Sequence, residues 1–303
     1  MDVKYADGLK HEGMSPTTET TPLLLDIYYP DNNATNRPVC MFIHGGGFTG
    51  GTKQKPEIVE MGNYYASRGW VYISIDYRTT EETGMIQGLT MEEFINLYKG
   101  MAPQEWIDYT IQNAEAPDEV LRSVALYAAQ RDAKAALRWV VANAEDYSIN
   151  TDYITVGGAS AGAVTTLALG ISDLDDFRDE ISSSDDPTLV TTNLDESYDV
   201  KSMIYFWGSN AKLELFEAVY GIDPYDSNDP ELFMAHGTRD INPSTPFSEA
   251  TEMKDIYDSL GIHNELVTLE GAGHGAWDAT VDGKGLFELT VDFIVDRQNL
   301  IVE

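Results

Sequence analysis

The 303-residue sequence predicts an α/β fold, a mostly parallel, twisted central sheet of about eight strands with helices on both faces. Two observations carry this. Residues 39–43, 71–75, 153–156, 203–206, 232–235 and 266–269 are short apolar runs bounded by Gly, Asp or His. They are apolar throughout rather than alternating, as strands buried on both faces of a parallel sheet are. Between them lie segments of helical period, and strand-helix alternation over most of a chain implies helices packed on both sides of one sheet. Composition supports a packed core, with 43% hydrophobic and 11% aromatic residues.

Taken in order, residues 24–29 read as an antiparallel edge strand and 39–43 as the first central strand, with the single cysteine, Cys40, as a small buried hydrophobe. Residues 56–68, closed by Gly69, form the first helix. Residues 124–145 place Leu126, Ala129, Ala133, Ala136, Leu137, Val140, Val141 and Ala144 on one stripe, and 286–295 read as the last helix. Two stretches break the rhythm. Residues 79–125 are far longer than a strand-to-helix loop needs. Within them Thr90-Met91-Glu92-Glu93 fits a capping box ahead of Phe94, Ile95 and Tyr98, and a second segment holds Trp106, Ile107, Tyr109 and Ile111. This insertion is expected to be helical and lid-like, with Met91, Phe94, Trp106 and Tyr109 either gating a site or packing onto the body. Residues 171–200 carry ten acidic residues against Arg178 alone and are expected to form a mobile surface excursion. The expectation is one domain over 1–303 with these two additions.

Charge excludes whole classes of function. With 51 Asp and Glu against 19 Lys and Arg, the net charge is −32, so the surface repels nucleic acid and anionic lipid. One cysteine excludes an internal disulfide framework. No apolar run reaches the roughly 18 residues of a membrane span, and the first residues show neither a basic nor an apolar leader region. A soluble chain is expected, with secreted and cytoplasmic locations, and monomer and homodimer, all left open.

The chemistry concentrates in four places. Gly158-Ala159-Ser160-Ala161-Gly162 sits between a strand and an apolar helical segment. Flanking glycines permit the sharp turn that holds a serine hydroxyl out as a nucleophile. His44-Gly45-Gly46-Gly47-Phe48 follows the strand 39–43, and its three glycines leave backbone N–H groups free to converge on a developing oxyanion. A serine nucleophile needs a base and an orienting acid at the ends of later strands. Of the five histidines, His274 alone directly follows a late strand, 266–269, at the correct end. His236 ends the strand that leads to Asp240, and Asp240 is the acid just past the penultimate strand, ahead of Asp223, Asp226 and Asp229 in a polar loop. The order Ser160, Asp240, His274 is the one this architecture expects.

These motifs, together with Asp76-Tyr77-Arg78 and the segment Asp132-Ala133-Lys134-Ala135-Ala136-Leu137-Arg138-Trp139, resemble the α/β-hydrolase superfamily. More specifically they resemble the hormone-sensitive-lipase-type carboxylesterases and the neighbouring acetyl and feruloyl esterases, over residues from about 24 to 294. The resemblance implies Ser160 as nucleophile, His274 as general base and then acid, Asp240 as the orienting acid, and an oxyanion hole of Gly46, Gly47 and Ala161. It further implies acyl transfer on a small-molecule ester, neutral and short- to medium-chain, with no metal and no organic cofactor. Phe48 and Trp207 are candidates for lining the substrate pocket. The rival readings are an acetyl, feruloyl or polyester-active esterase of the same fold, a peptidase or amidase, and a binding protein that has lost the chemistry. The peptidase reading is disfavoured because the proline-specific members usually add a propeller for which 303 residues leave no room. The binding reading is disfavoured because all three triad candidates are present. The charge predicts a salt-adapted protein, since self-repulsion of a −32 surface is relieved by screening.

Overall fold

A computed structural model of the chain describes residues 2–11, 18–83 and 90–300. Eight strands form its main sheet: β1 (Val3–His11), β2 (Thr18–Tyr28), β3 (Arg37–Ile43), β4 (Val71–Ile75), β5 (Ile149–Ala159), β6 (Val200–Phe206), β7 (Glu231–Gly237) and β8 (Asn264–Leu269). They lie in the order β1-β2-β4-β3-β5-β6-β7-β8, antiparallel where β2 meets β1 and β4, and parallel from β4 to β8. Every residue of β4 is buried, and all but one each of β3, β6 and β7, as their unbroken apolar runs require. Cys40 lies within β3 with no exposed surface.

The expected edge strand is in fact second from the edge, because β1 covers it. β1 escaped the sequence reading because Lys4, Asp7 and Lys10 interrupt its buried Tyr5, Ala6 and Leu9, so no apolar run forms.

The helices are α1 (Pro56–Ala66), α2 (Thr80–Thr83), α3 (Met91–Tyr98), α4 (Gln104–Asn113), α5 (Pro117–Ala142), α6 (Ala161–Ile171), α7 (Ala211–Tyr220), α8 (Phe247–Leu260) and α9 (Leu286–Arg297). A short hairpin, β9 (Thr280–Val281) and β10 (Lys284–Gly285), precedes α9. α5 begins earlier than its predicted stripe, at a proline in the first turn, so the final part of 79–125 belongs to it. Its Ala125, Ala129, Ala133, Ala136, Leu137 and Val140 join the main core, while Leu121, Val124 and Tyr127 face a separate cluster. Burial on both sides explains a helix that is not strongly amphipathic. α7 and α8 were not foreseen; each ends at a glycine with left-handed backbone, Gly221 and Gly261.

The capping box of α3 forms as predicted, Thr90 and Glu93 each bonding the other's backbone. Residues 84–89 of the insertion and the Met91 side chain lie outside the described residues. Trp106 is buried against Tyr127 and Phe177, Phe94 packs on Tyr98, and Tyr109 is half-buried. The 171–200 segment is held far more firmly than a mobile excursion would be. Phe177 and Ile181 join Trp106 and Phe216 in the second cluster, Arg131 pairs with Asp186, and Lys134 and Arg138 donate to the carbonyls of Asp173, Asp176 and Thr192. Its acidic composition hid this, because the few apolar residues that anchor it are widely spaced. Among the described residues no helix is long and apolar enough to cross a membrane.

Candidate active site

Strand register assembles the site. The chain leaves β3 to one side for β4 and the other for β5, and the crevice outside the carboxyl ends at such a switch point is where α/β sheets hold ligands. Ile43 lies opposite Gly158, Ala159 opposite Phe206, Phe206 opposite Ala235 and Gly237 opposite Leu269. The loops that follow these residues therefore emerge side by side, bringing the glycine loop, Ser160, Trp207, Asp240 and His274 to one edge.

Ser160 is the turn residue between β5 and α6, with φ 55° and ψ −123°, a strained conformation for a side-chain-bearing residue. Its N–H donates to the Phe206 carbonyl at 2.9 Å, which fixes the turn and leaves the hydroxyl outward. The turn also needs close backbone approach, since a Cβ on Gly162 would stand 2.0 Å from the Ile43 carbonyl oxygen.

His274 Nε2 lies 3.0 Å from Ser160 Oγ, and its Nδ1 lies 2.7 Å from Asp240 Oδ2. Nδ1–H donating to the carboxylate leaves Nε2 as the acceptor facing the serine hydroxyl. The Asp240 carboxylate is fully buried, whereas the His274 side chain is 30% exposed, so the acid is shielded and the base is reachable. Asp240 is held by more than His274. Its Oδ1 accepts from the Asn242 N–H at 2.9 Å, and its Oδ2 lies 3.1 Å from His236 Nε2. Burial lowers the pKa of His236, so the ring is neutral, and its Nε2–H is shared between Asp240 and the Thr245 carbonyl at 3.0 Å. Thr245 Oγ1 is in turn 3.3 Å from His274 Nδ1. His236 and Thr245 were not anticipated as parts of this network. Their sequence signal is weak, a histidine four residues before the acid and a threonine five residues after it.

The glycine loop lies against the serine turn, for a Cβ on Gly45 would stand 2.9 Å from that of Ser160. Gly46 has φ 147° and a Cβ there would meet the Gly50 carbonyl oxygen at 1.8 Å, so this position admits only glycine. Among the described residues the N–H groups of Gly46, Gly47 and Ala161 donate no hydrogen bond. The loop is pinned from behind: His44 stacks on Tyr77 with ring centroids 4.3 Å apart, the Tyr77 hydroxyl donates to the His44 carbonyl, and Lys55 donates to the Gly45 carbonyl. Burial pushes the His44 pKa down to about 4, so the ring is neutral and its Nδ1–H donates to the Gly45 carbonyl at 2.9 Å.

Phe48 and Trp207, expected to line a pocket, are both buried, at 5% and 1% exposure. Phe48 packs into the main core beside Tyr77, and Trp207 stands edge-on to Trp277 and His274, behind the site. Trp277, absent from the sequence reading, completes this aromatic wall with Phe42 and Phe206. Among the described residues no group of His, Cys, Asp and Glu could hold a metal ion.

A parallel sheet with a serine on a strained strand-to-helix turn, and an acid and a histidine after its last two strands, is the architecture of the α/β-hydrolases. Within them the chain belongs to the prolyl oligopeptidase family, whose model matches residues 122–299, while the BD-FAE family matches residues 25–87. Among solved structures it is similar to a thermophilic esterase from the Planctomycetes species Thermogutta terrifontis. The propionate-bound form gives a TM-score of 0.64 at 19% identity over 100% of this chain and 96% of that one. The form of that esterase phosphorylated by paraoxon gives 0.62 at 20% identity over the same shares. A curated relative, the 5-methylorsellinic acid synthase of Aspergillus terreus, is 35% identical over 86 residues, 24% of this chain and 3% of that protein.

Proposed function

We propose that the protein is a serine hydrolase of neutral carboxylic esters with short to medium acyl chains, working through an acyl-enzyme. The observation that carries this is the continuous relay from Ser160 Oγ through His274 to the buried Asp240, at 3.0 and 2.7 Å. In this reading His274 takes the hydroxyl proton as Ser160 attacks the ester carbonyl. The oxyanion is held by the N–H groups of Gly46, Gly47 and Ala161. His274 then returns the proton to the departing alcohol, and water, activated in the same way, releases the acid and frees Ser160. Asp240 keeps the imidazole in the required tautomer. A short acyl group is supported by the propionate and butyrate found in the similar Thermogutta terrifontis structures. The −32 charge supports neutral or cationic esters over anionic ones.

Ser160→Ala tests the reading: hydrolysis of p-nitrophenyl butyrate is expected to fall by about 10⁶-fold in kcat, and retention of wild-type rates overturns it. The family match favours a second reading, hydrolysis of amide or peptide bonds by the same residues. Comparing p-nitrophenyl esters with aminoacyl-nitroanilides separates the two, and a larger kcat/KM on the anilides would move the assignment to peptidase.

The surface charge also supports adaptation to salt. The melting temperature is expected to rise between low and molar NaCl, and a fall would overturn this part alone.

A further inference from the structure

Behind Phe48 lies a buried polar side chain that the relay from Ser160 to Asp240 does not use. Lys212, in the first turn of α7, has no exposed surface. Its Nζ donates to Gln130 Oε1 on α5 and to Thr165 Oγ1 on α6, each at 2.9 Å, and stands 5.1 Å from the centre of the Phe48 ring. Gln130 and Thr165 are themselves fully buried. Burial drives the Lys212 pKa well below that of a free lysine, which favours the neutral amine. Asp132, the acid that opposes this, is already gripped by Arg78, and among the described residues no carboxylate lies within ion-pairing distance of Lys212. A neutral amine has two N–H donors, and two acceptors are in place for them.

Stability alone does not call for this residue. Burying an amine with no counter-charge costs folding free energy, and an apolar side chain of the same length would fill the space without that cost. A side chain that the core could do better without is expected where function sets the choice. What Lys212 touches indicates the function. In the catalytic reading the oxyanion hole has two arms, Gly46 and Gly47 in the loop after β3 and Ala161 at the start of α6, and Lys212 meets the support of both. On α6 the Thr165 hydroxyl has one proton; its oxygen accepts from Lys212 and the proton goes to the Ala161 carbonyl, 3.1 Å away. On the loop, Phe48 follows Gly47 and is held at φ 61°, a strained backbone for a bulky residue that persists only where packing fixes it. Its ring packs on Tyr77 and on Lys212.

We propose that Lys212 is a positioning residue for the oxyanion hole, tying the Ala161 turn of α6 to the strained Phe48 end of the glycine loop so that the two sets of N–H groups keep one spacing. The role rests on the catalytic reading of Ser160. Lys212 then acts on the transition state, in which the oxyanion forms, rather than on ground-state binding of the ester.

The test replaces the amine by an apolar side chain of similar length. In Lys212→Met, kcat on p-nitrophenyl butyrate is expected to fall by about 10- to 100-fold, less than the loss of a whole oxyanion donor, with KM within about twofold of wild type. Affinity for a trifluoromethyl ketone, whose carbonyl carbon takes up the Ser160 oxygen and whose own oxygen becomes an oxyanion, should fall by the same factor as kcat/KM. The double variant Gln130→Met, Lys212→Met removes both members of a buried polar pair, so it should melt no lower than wild type while remaining as slow as Lys212→Met. Gln130→Met alone leaves Lys212 on Thr165 and Phe48 and should keep kcat within about twofold of wild type. A kcat near wild type in either Lys212 variant, a KM that rises as kcat falls, an unchanged affinity for the ketone, or equal slowing by Gln130→Met would each overturn the proposal. Ser160→Ala keeps these outcomes apart from failure of the catalytic reading, which would show as undiminished hydrolysis in that variant.

Discussion

At the carboxyl edge of the sheet Asp240 buries a full negative charge and meets it with three donors, from His274, His236 and Asn242, whereas on the flank of α5 Arg138 buries a full positive charge against one carbonyl. The two regions manage burial differently. Around the serine, every group that could carry an awkward charge has a way out: His44 and His236 are neutral because burial lowers both, and Asp240 is saturated with donors. On the flank the guanidinium groups keep their protons, so balance must come from fixed carboxylates, Asp132 for Arg78 and Asp186 for Arg131. The comparison teaches that an edge built for chemistry depends on groups whose protonation can change, while a flank built for cohesion uses groups whose protonation cannot.

Ser160→Ala aside, the largest effect should come from disturbing the saturated carboxylate. Asp240→Asn keeps the shape but lets the amide donate to His274, favouring the wrong tautomer. A loss of about 10⁴-fold in kcat on p-nitrophenyl butyrate is expected, with unfolding little changed. A loss below tenfold would show that His274 is oriented by something else, Thr245 being the nearest candidate. Next comes the glycine loop. Gly46→Ala places a methyl group 1.8 Å from the Gly50 carbonyl oxygen at a φ that alanine resists, so the loop must shift and its N–H groups with it. About 10²- to 10³-fold in kcat should be lost, the usual cost of one oxyanion donor. Unchanged kcat would remove this loop from the mechanism.

How much of this was legible before the structure differs between the same two regions. The edge was nearly all readable, because each of its parts is a local pattern: an apolar run, then glycines or a single polar residue, in a fixed order along the chain. Ser160, Asp240 and His274 are brought together as those patterns require. His236 and Trp277 were not readable, since their roles come from where strand ends meet, which no local pattern encodes. The flank was almost wholly hidden. Arg131 and Arg138 look like ordinary helix residues, and only folding places them beside Asp186, 55 residues away from Arg131, or the Thr192 carbonyl, 54 away from Arg138. For the same reason β1 stayed invisible: its Lys4, Asp7 and Lys10 spell a solvated strand until pairing with β2 buries the residues between them.

Acid should separate the two regions further. His44 has a folded pKa near 4 against 6.5 for the free side chain, so the unfolded chain binds its proton first as pH falls. The stability it contributes is therefore intact above pH 6.5 and is lost as pH falls from there toward 4. Between pH 7.5 and 4.5 this amounts to about 2.5 kcal/mol of unfolding free energy. His44→Phe keeps the stack on Tyr77 and removes the titration, so its loss over that interval should be smaller than wild type by about the same amount. Equal acid sensitivity in both proteins would mean that His44 does not stay neutral in the fold.

The finest test asks whether neutral His236 helps to hold Asp240 or merely fills space behind it. Its Nε2–H binds both the carboxylate and the Thr245 carbonyl, tying the loop that carries Asn242 and Thr245 to the acid. A hydrogen bond to a charged group contributes about 1.5–3 kcal/mol, but Asp240 would retain two other donors, so the loss in His236→Phe should sit at the low end, roughly tenfold in kcat. KM should not move, because His236 is fully buried and reaches the substrate only through Asp240 and His274. His236→Gln, whose amide can place a donor near the same point, should recover most of the rate. If Phe and Gln lower kcat equally, or if KM rises with either, His236 belongs to the packing of the edge and Asp240 is held by His274 and Asn242 alone.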